Sequence, residues 1–178
     1  MKPTVILGFL GFLLADIVSA VDMSPYKAGT GVEAGFATFV EEYYRISEDK
    51  TATTTFTDFW TTDGELIIAG NAYQGYDAML GVKQALLPVD GNKSWWHLIR
   101  GSEVVGEASD SKTYVAEIVI QTTYTPGNCS QAYGNASFTL LKGDDGLPIL
   151  TPHSQALTIY NLTVSTTASP TDIACTSS

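Results

Sequence analysis

From residue 30 onward apolar side chains recur three and four positions apart: Val32, Phe36, Phe39, Val40 and Tyr43, with Glu33, Glu41, Glu42 and Arg45 on the opposite side. This spacing predicts an amphipathic helix. Thr30 and Glu33 stand in the capping-box relation that would open it. Phe56, Phe59 and Trp60 predict a short second helix over 53–60. Thr61-Thr62-Asp63-Gly64 then turns into an apolar strand at 65–70, with a short partner at 71–75. Helical spacing returns over 76–87, with Met79, Leu80, Lys83, Leu86 and Leu87 on one side and Pro88 as the stop. Beyond Asn92 the pattern changes to long strands at 95–107, 113–124, 136–142 and 155–164, parted by turn-rich pieces such as Gly143-Asp144-Asp145-Gly146. Helices followed by a run of antiparallel hairpins predict an α+β domain.

In the second long strand Tyr114, Ala116, Ile118, Ile120 and Tyr124 share one face, the expected inner wall. Val115, Glu117, Val119, Gln121 and Thr123 share the other, which is only half polar. That face is expected to pack on something, such as the same face of a second copy in a homodimer.

The first twenty residues carry Lys2, an apolar run over 5–15, and the small residues Val18-Ser19-Ala20. A basic start, a short apolar centre and small residues at the −3 and −1 positions predict a signal peptide cut after Ala20. A membrane anchor is the alternative, but Asp16 interrupts the run and it falls short of the roughly 20 residues that cross a bilayer. The expected plan is therefore a signal peptide at 1–20, a leader at 21–30, one domain over 31–164, and a Ser/Thr-rich tail at 165–178. A secretory route leads to a secreted or luminal product.

That route gives meaning to two other features. Asn92, Asn128, Asn135 and Asn161 each begin an N-x-S/T triplet, the acceptor pattern for N-linked sugar. Cys129 and Cys175 are the only cysteines, and an oxidising compartment favours joining them. Closing a loop of about 46 residues would be worth on the order of 4 kcal/mol in the chain-entropy model. The formal net charge of −10, with no Lys/Arg cluster, disfavours nucleic acid and anionic membrane surfaces as partners.

The order of elements, together with Phe59-Trp60-Thr61-Thr62-Asp63-Gly64-Glu65-Leu66, Gln74-Gly75-Tyr76-Asp77-Ala78-Met79 and Trp96-His97-Leu98-Ile99, resembles the NTF2-like superfamily. Within it the SnoaL-like and ketosteroid-isomerase-like proteins are closest in style, and secreted members resemble small proteins of fungal natural-product pathways. The resemblance spans roughly 31–164. It implies a strongly curved antiparallel sheet wrapped with three helices around a conical pocket. That scaffold hosts isomerases, dehydratases, polyketide cyclases and plain binders, so the fold by itself names no function.

Candidate chemistry centres on His97, one of two histidines, set between Trp95-Trp96 and an apolar strand. An imidazole in a dry aromatic pocket can act as general acid or base near neutral pH; a histidine bonded to backbone at the rim is the competing reading. Asp63 matches the family position before the first strand, where some isomerases and cyclases keep a pocket carboxylate; an ordinary turn residue is its competitor. Tyr43, Tyr44, Trp96 and Tyr114 are candidates to shape the substrate, the tyrosines as phenolic donors to an oxyanion, against a plain core role. Arg100 and Glu117 are expected to form a cross-strand ion pair, and His153 to sit exposed in a loop.

The sequence holds no HExxH, paired CxxC, GxGxxG, P-loop or GxSxG. The enzymatic expectation is a reaction without metal or cofactor: cyclisation or isomerisation of a small apolar, polyketide-type intermediate in secondary-metabolite biosynthesis. A secreted hydrophobic-ligand carrier, and an exported protein acting through its sheet face, are the alternatives.

Overall fold

The computed structural model describes residues 21–125 and 127–165, with only the backbone described at Ser165. Residues 1–20, expected as a signal peptide, Cys175 and most of the Ser/Thr-rich tail lie outside the described residues. Ten elements run in the order β1 (Lys27–Ala28), α1 (Gly35–Glu48), α2 (Thr54–Thr57), β2 (Trp60–Ile68), β3 (Asn71–Gln74), α3 (Tyr76–Leu86), β4 (Lys93–Glu107), β5 (Ser111–Tyr124), β6 (Asn128–Leu141) and β7 (Leu157–Ser165). The architecture is α+β, as the element pattern predicts.

The strands form one seven-stranded sheet in the order β1-β4-β5-β6-β7-β2-β3. It is mixed: β1 runs parallel to β4 and β2 runs parallel to β7, while the other neighbours are antiparallel. A wholly antiparallel sheet was expected because hairpins alone are visible in sequence; the β2–β7 joint pairs strands about a hundred residues apart. Register shifts interrupt the β4–β5 ladder at Ile99/Gly101 and Val104/Gly106 and the β6–β7 ladder at Thr139/Leu140. Such bulges bend a strand and increase its twist, which curves the long strands around α1.

α1 buries Phe36, Phe39, Val40, Tyr43, Tyr44 and Ser47, the i, i+3, i+4 stripe that its spacing predicts. Phe36 stacks on Tyr114 of β5 at 4.3 Å between ring centroids, and Tyr43 meets Phe59, Phe138 and Tyr160 at 5.2–5.4 Å. This aromatic layer between helix and sheet is the core.

The start of α1 differs from the capping-box expectation. The helix begins at Gly35 with Ala34 before it and no side-chain cap. The Glu33 carboxylate turns instead to Lys112 Nζ at 2.7 Å and to the Tyr114 hydroxyl at 2.5 Å, since a charged partner outweighs a local amide. The 21–30 segment, expected as a leader, is built into the sheet: Val21 is buried, Asp22 bridges to Leu98, and Lys27–Ala28 pairs with Gly101 and Ser102. β6 starts at Asn128, eight residues ahead of the expected 136, because its polar first half pairs with β5. The Arg100–Glu117 pair forms as expected, at 3.7 Å.

The outer face of β5 is less open than its half-polar pattern suggests. Val119 and Gln121 are 0 % exposed within the single chain, so no second copy is needed to cover them. Among the described residues, no helix is long and apolar enough to cross a membrane.

Candidate functional site

Where the C-terminal end of α1 meets β4 and α3, a cavity of about 110 Å³ opens between helices and sheet. Its walls are almost wholly apolar or aromatic. Phe56, Leu66, Ile68, Ile120 and Leu162 supply hydrocarbon and Trp95 an indole, while Tyr43, Tyr44, Ser47, Lys83, His97 and Tyr160 bring the other polar side chains. Leu86, 37 % exposed, also lines it and marks its outer side.

His97 stands in the middle of β4, where alternation along the strand turns Trp95, His97 and Ile99 toward α1. Its side chain is 4 % exposed. Glu48, the last residue of α1, points back at it: Oε1 accepts a hydrogen bond from the His97 backbone N–H at 2.8 Å and lies 2.9 Å from Nδ1. A carboxylate only accepts, so Nδ1 carries the hydrogen and Nε2 is the ring nitrogen left for other partners. Tyr44, one turn before Glu48, stacks flat on the imidazole at 4.3 Å. The imidazole is thus fixed in tautomer by Glu48 and in plane by Tyr44.

Two phenols complete the polar set. The Tyr44 and Tyr160 hydroxyls lie 3.1 Å apart. Burial pushes both phenols far above the ordinary tyrosine value, so each remains a neutral O–H donor at any ordinary pH.

The candidates named from sequence divide cleanly. His97 and Tyr43 both line the cavity. Trp96 does not, because adjacent strand residues face opposite ways; its neighbour Trp95 takes the place on the wall. Tyr114 faces inward but at another part of the sheet, where its hydroxyl is committed to Glu33. Asp63 is exposed on β2. The β2–β7 register shifts between Trp60 and Glu65, and at Gly64 a Cβ would lie 3.0–3.3 Å from Thr61 O, Trp60 Cε3 and Leu157 O; this tight irregular stretch carries Asp63 outside, within the strand and not in the turn expected ahead of it. His153 is exposed, as expected, with Nε2 3.2 Å from Glu42 Oε1.

Tyr44, named with Tyr43 as a phenolic donor, lines the cavity too, whereas Glu48 and Tyr160 were missed. Glu48 ends a helix at a spacing that reads as solvent-facing, and β7 reads as plain core. A signal for Glu48 existed only in hindsight of the fold, since the pair spans 49 residues of chain.

Asn92, Asn128 and Asn135 are exposed and Asn161 is half-buried in β7. No described cysteine is a free thiol; Cys129 sits on β6 opposite Thr123. Among the described residues no group of three or more His, Cys, Asp or Glu side chains is placed to hold a metal ion.

Solved structures share this fold. ActVI-ORFA from Streptomyces coelicolor superposes with a TM-score of 0.54 at 13 % identity, covering 74 % of this chain and 95 % of its own. The fold is NTF2-like. Two proteins of Novosphingobium aromaticivorans also share the NTF2-like scaffold. One, proposed to be an aromatic ring hydroxylase, gives a TM-score of 0.57 at 13 % identity over 72 % of this chain and 87 % of its own. The other, proposed to be a scytalone dehydratase, gives 0.53 at 13 % identity over 71 % and 78 %. No family model and no curated sequence matches the chain, so the likeness is one of fold.

Proposed function

We propose that the protein is a cofactor-independent isomerase or cyclase that moves a proton on a small, largely apolar carbonyl compound, with His97 as the base and acid. The observation that carries this reading is the Glu48–His97 pair on the wall of an apolar cavity. Nε2 of His97 takes a proton from the carbon next to the substrate carbonyl. The C–H electron pair shifts to form the enolate, whose oxygen takes hydrogen bonds from the Tyr44 and Tyr160 hydroxyls. The imidazolium, stabilised by Glu48, returns the proton to a different carbon, which isomerises the substrate. Where the enolate carbon instead attacks a second carbonyl, the proton goes to the new alkoxide and a ring closes.

The cavity's size constrains the substrate. A dry cavity of about 150 Å³ holds a benzene molecule, so about 110 Å³ encloses less than one aromatic ring. A polyketide-type intermediate would place its reacting end inside and leave the remainder at Leu86. The solved structures of similar fold include a protein proposed to be a scytalone dehydratase, which is in keeping with proton transfer on such compounds.

The setting we propose is the secretory pathway, with cleavage after Ala20, sugar on the exposed Asn92, Asn128 and Asn135, and a Cys129–Cys175 bridge. Untargeted mass spectrometry of the producing cells, with the gene intact, deleted, or carrying His97→Gln, tests the catalytic reading. A precursor that accumulates in both altered strains, with an isomeric product lost, is the expected result. An unchanged profile would replace the enzyme with a carrier of the same ligand.

A further inference from the structure

The proton transfer above leaves one charged group of the cavity unused. Lys83 belongs to α3, is 3 % exposed, and lines the same cavity as His97 and Tyr160. Lysine is almost never buried to this degree without a counter-ion. Yet none of the direct ion pairs among the described residues includes Lys83; the Asp49 carboxylate acts on it only from beyond salt-bridge distance. Its Nζ donates to the backbone oxygen of Asp49, the C-cap of α1, at 2.6 Å, and lies 5.7 Å over the Phe56 ring. That single bond uses one of the three ammonium hydrogens.

Capping the C-terminal end of α1 accounts for the bond to Asp49. It does not account for the burial. A cap on an exposed stem would serve as well without taking the ammonium out of water, and burial pushes its pKa below the ordinary lysine value. The protein's net charge of −10 repels anions at long range, so an anion could be favoured in this cavity only by a cation within its wall. Among the described residues, Lys83 is the only lysine or arginine that lines it.

We propose that Lys83 is a ligand-binding residue, and that the cavity takes a small apolar molecule carrying one anionic oxygen group, a carboxylate or an enolate, for which Lys83 supplies the counter-charge. This rests on the reading of the cavity as the substrate site and narrows the substrate class: an apolar keto acid, or a carbonyl compound whose enolate oxygen reaches Lys83.

The test is a calorimetric or NMR titration with two isosteric pairs, propionate against propionamide and isobutyrate against isobutyramide, on the folded mature chain. In the wild type each carboxylate is expected to bind at least about tenfold more tightly than its amide, a difference of about 1.4 kcal/mol. Lys83→Gln keeps a donor for the Asp49 oxygen, and its melting curve verifies the fold; it is expected to lose that preference while its amide affinity stays within about twofold. Lys83→Met, where it folds, should do the same. Equal binding of carboxylate and amide by the wild type would overturn the role of Lys83 and leave the cavity a ligand site. Loss of both affinities together in folded Lys83→Gln would reduce the lysine to a helix cap. Failure of all four probes to bind the wild type would overturn both this proposal and the substrate-site reading.

Discussion

Glu48 Oε1 lies 2.8 Å from the backbone nitrogen of His97 and 2.9 Å from its Nδ1, so one carboxylate oxygen holds both the strand and the ring that the strand presents. The two side chains are 6 % and 4 % exposed. The pair ties the last residue of α1 to the middle of β4, and so couples the orientation of the imidazole to the packing of the helix on the sheet.

Replacing Glu48 by Gln should therefore act on His97 before it acts on the substrate. A carboxamide can offer an N–H to Nδ1 and release the tautomer that the carboxylate enforces. The expected result is a drop of about 10²-fold in kcat with KM little changed, against about 10²–10⁴-fold for His97→Gln. Nitrogen-15 NMR of the ring should show Nδ1–H in the wild type and a mixture of tautomers in Glu48→Gln; an unchanged tautomer would remove Glu48 from the positioning role.

Tyr160→Phe deletes the hydroxyl that faces Tyr44 across the cavity at 3.1 Å. Because Tyr44 then loses a buried partner, stability should fall by about 0.5–1.5 kcal/mol in urea denaturation. Turnover should fall as well if the phenols receive the enolate oxygen. A stable variant of full activity would leave them as core residues alone.

Stability should also decline in acid through Glu33. Burial raises its carboxyl pKa, but hydrogen bonds from Lys112 and Tyr114 outweigh this and hold it below the ordinary glutamate value. A group whose folded pKa is depressed contributes stability above its unfolded value and loses it as pH falls through the folded one. The urea midpoint should fall between pH 5 and pH 3, and by less in Glu33→Gln. Equal losses in the two proteins would assign the acid sensitivity to other carboxylates.

At Val119, Asp should unfold the domain rather than dissociate a dimer. The side chain is 0 % exposed within one chain, and an unpaired buried charge costs several kcal/mol. Light scattering and a melting curve separate the outcomes: a folded, well-melting monomer would restore the sheet face as an interface between copies.

Gly134→Ala should weaken the β6–β7 joint. A Cβ there would lie 2.2 Å from the backbone oxygen of Thr163, a contact that only a shift of the strand can relieve. The expected loss is about 1–3 kcal/mol, read as a lower melting temperature.

Much of this was legible in the chain. The stripe from Phe36 to Tyr43 gave α1 its buried face, the run from Tyr76 to Leu86 gave α3, and the alternation from Tyr114 to Ile120 named the inner wall of β5. Alternation also held a warning that went unused: Trp96 and His97 are neighbours on a strand and cannot share a pocket. Asp63 was misplaced for a different reason, since the backbone irregularity around Gly64 that turns it outward depends on Leu157, nearly a hundred residues away.

By itself the sequence determined what periodicity can encode: which segments are helix or strand and which face of each is apolar. These follow from contacts within a few residues, where the repeat of 3.6 or 2 is set by backbone geometry. Only the tertiary structure decided that Glu48 meets His97, that Tyr44 meets Tyr160, that Lys83 lines their cavity, and that β2 lies parallel to β7. Glu48 and His97 lie 49 positions apart and Tyr44 and Tyr160 lie 116 apart, and such pairs are chosen by how the curved sheet closes on the helix, which no local pattern records.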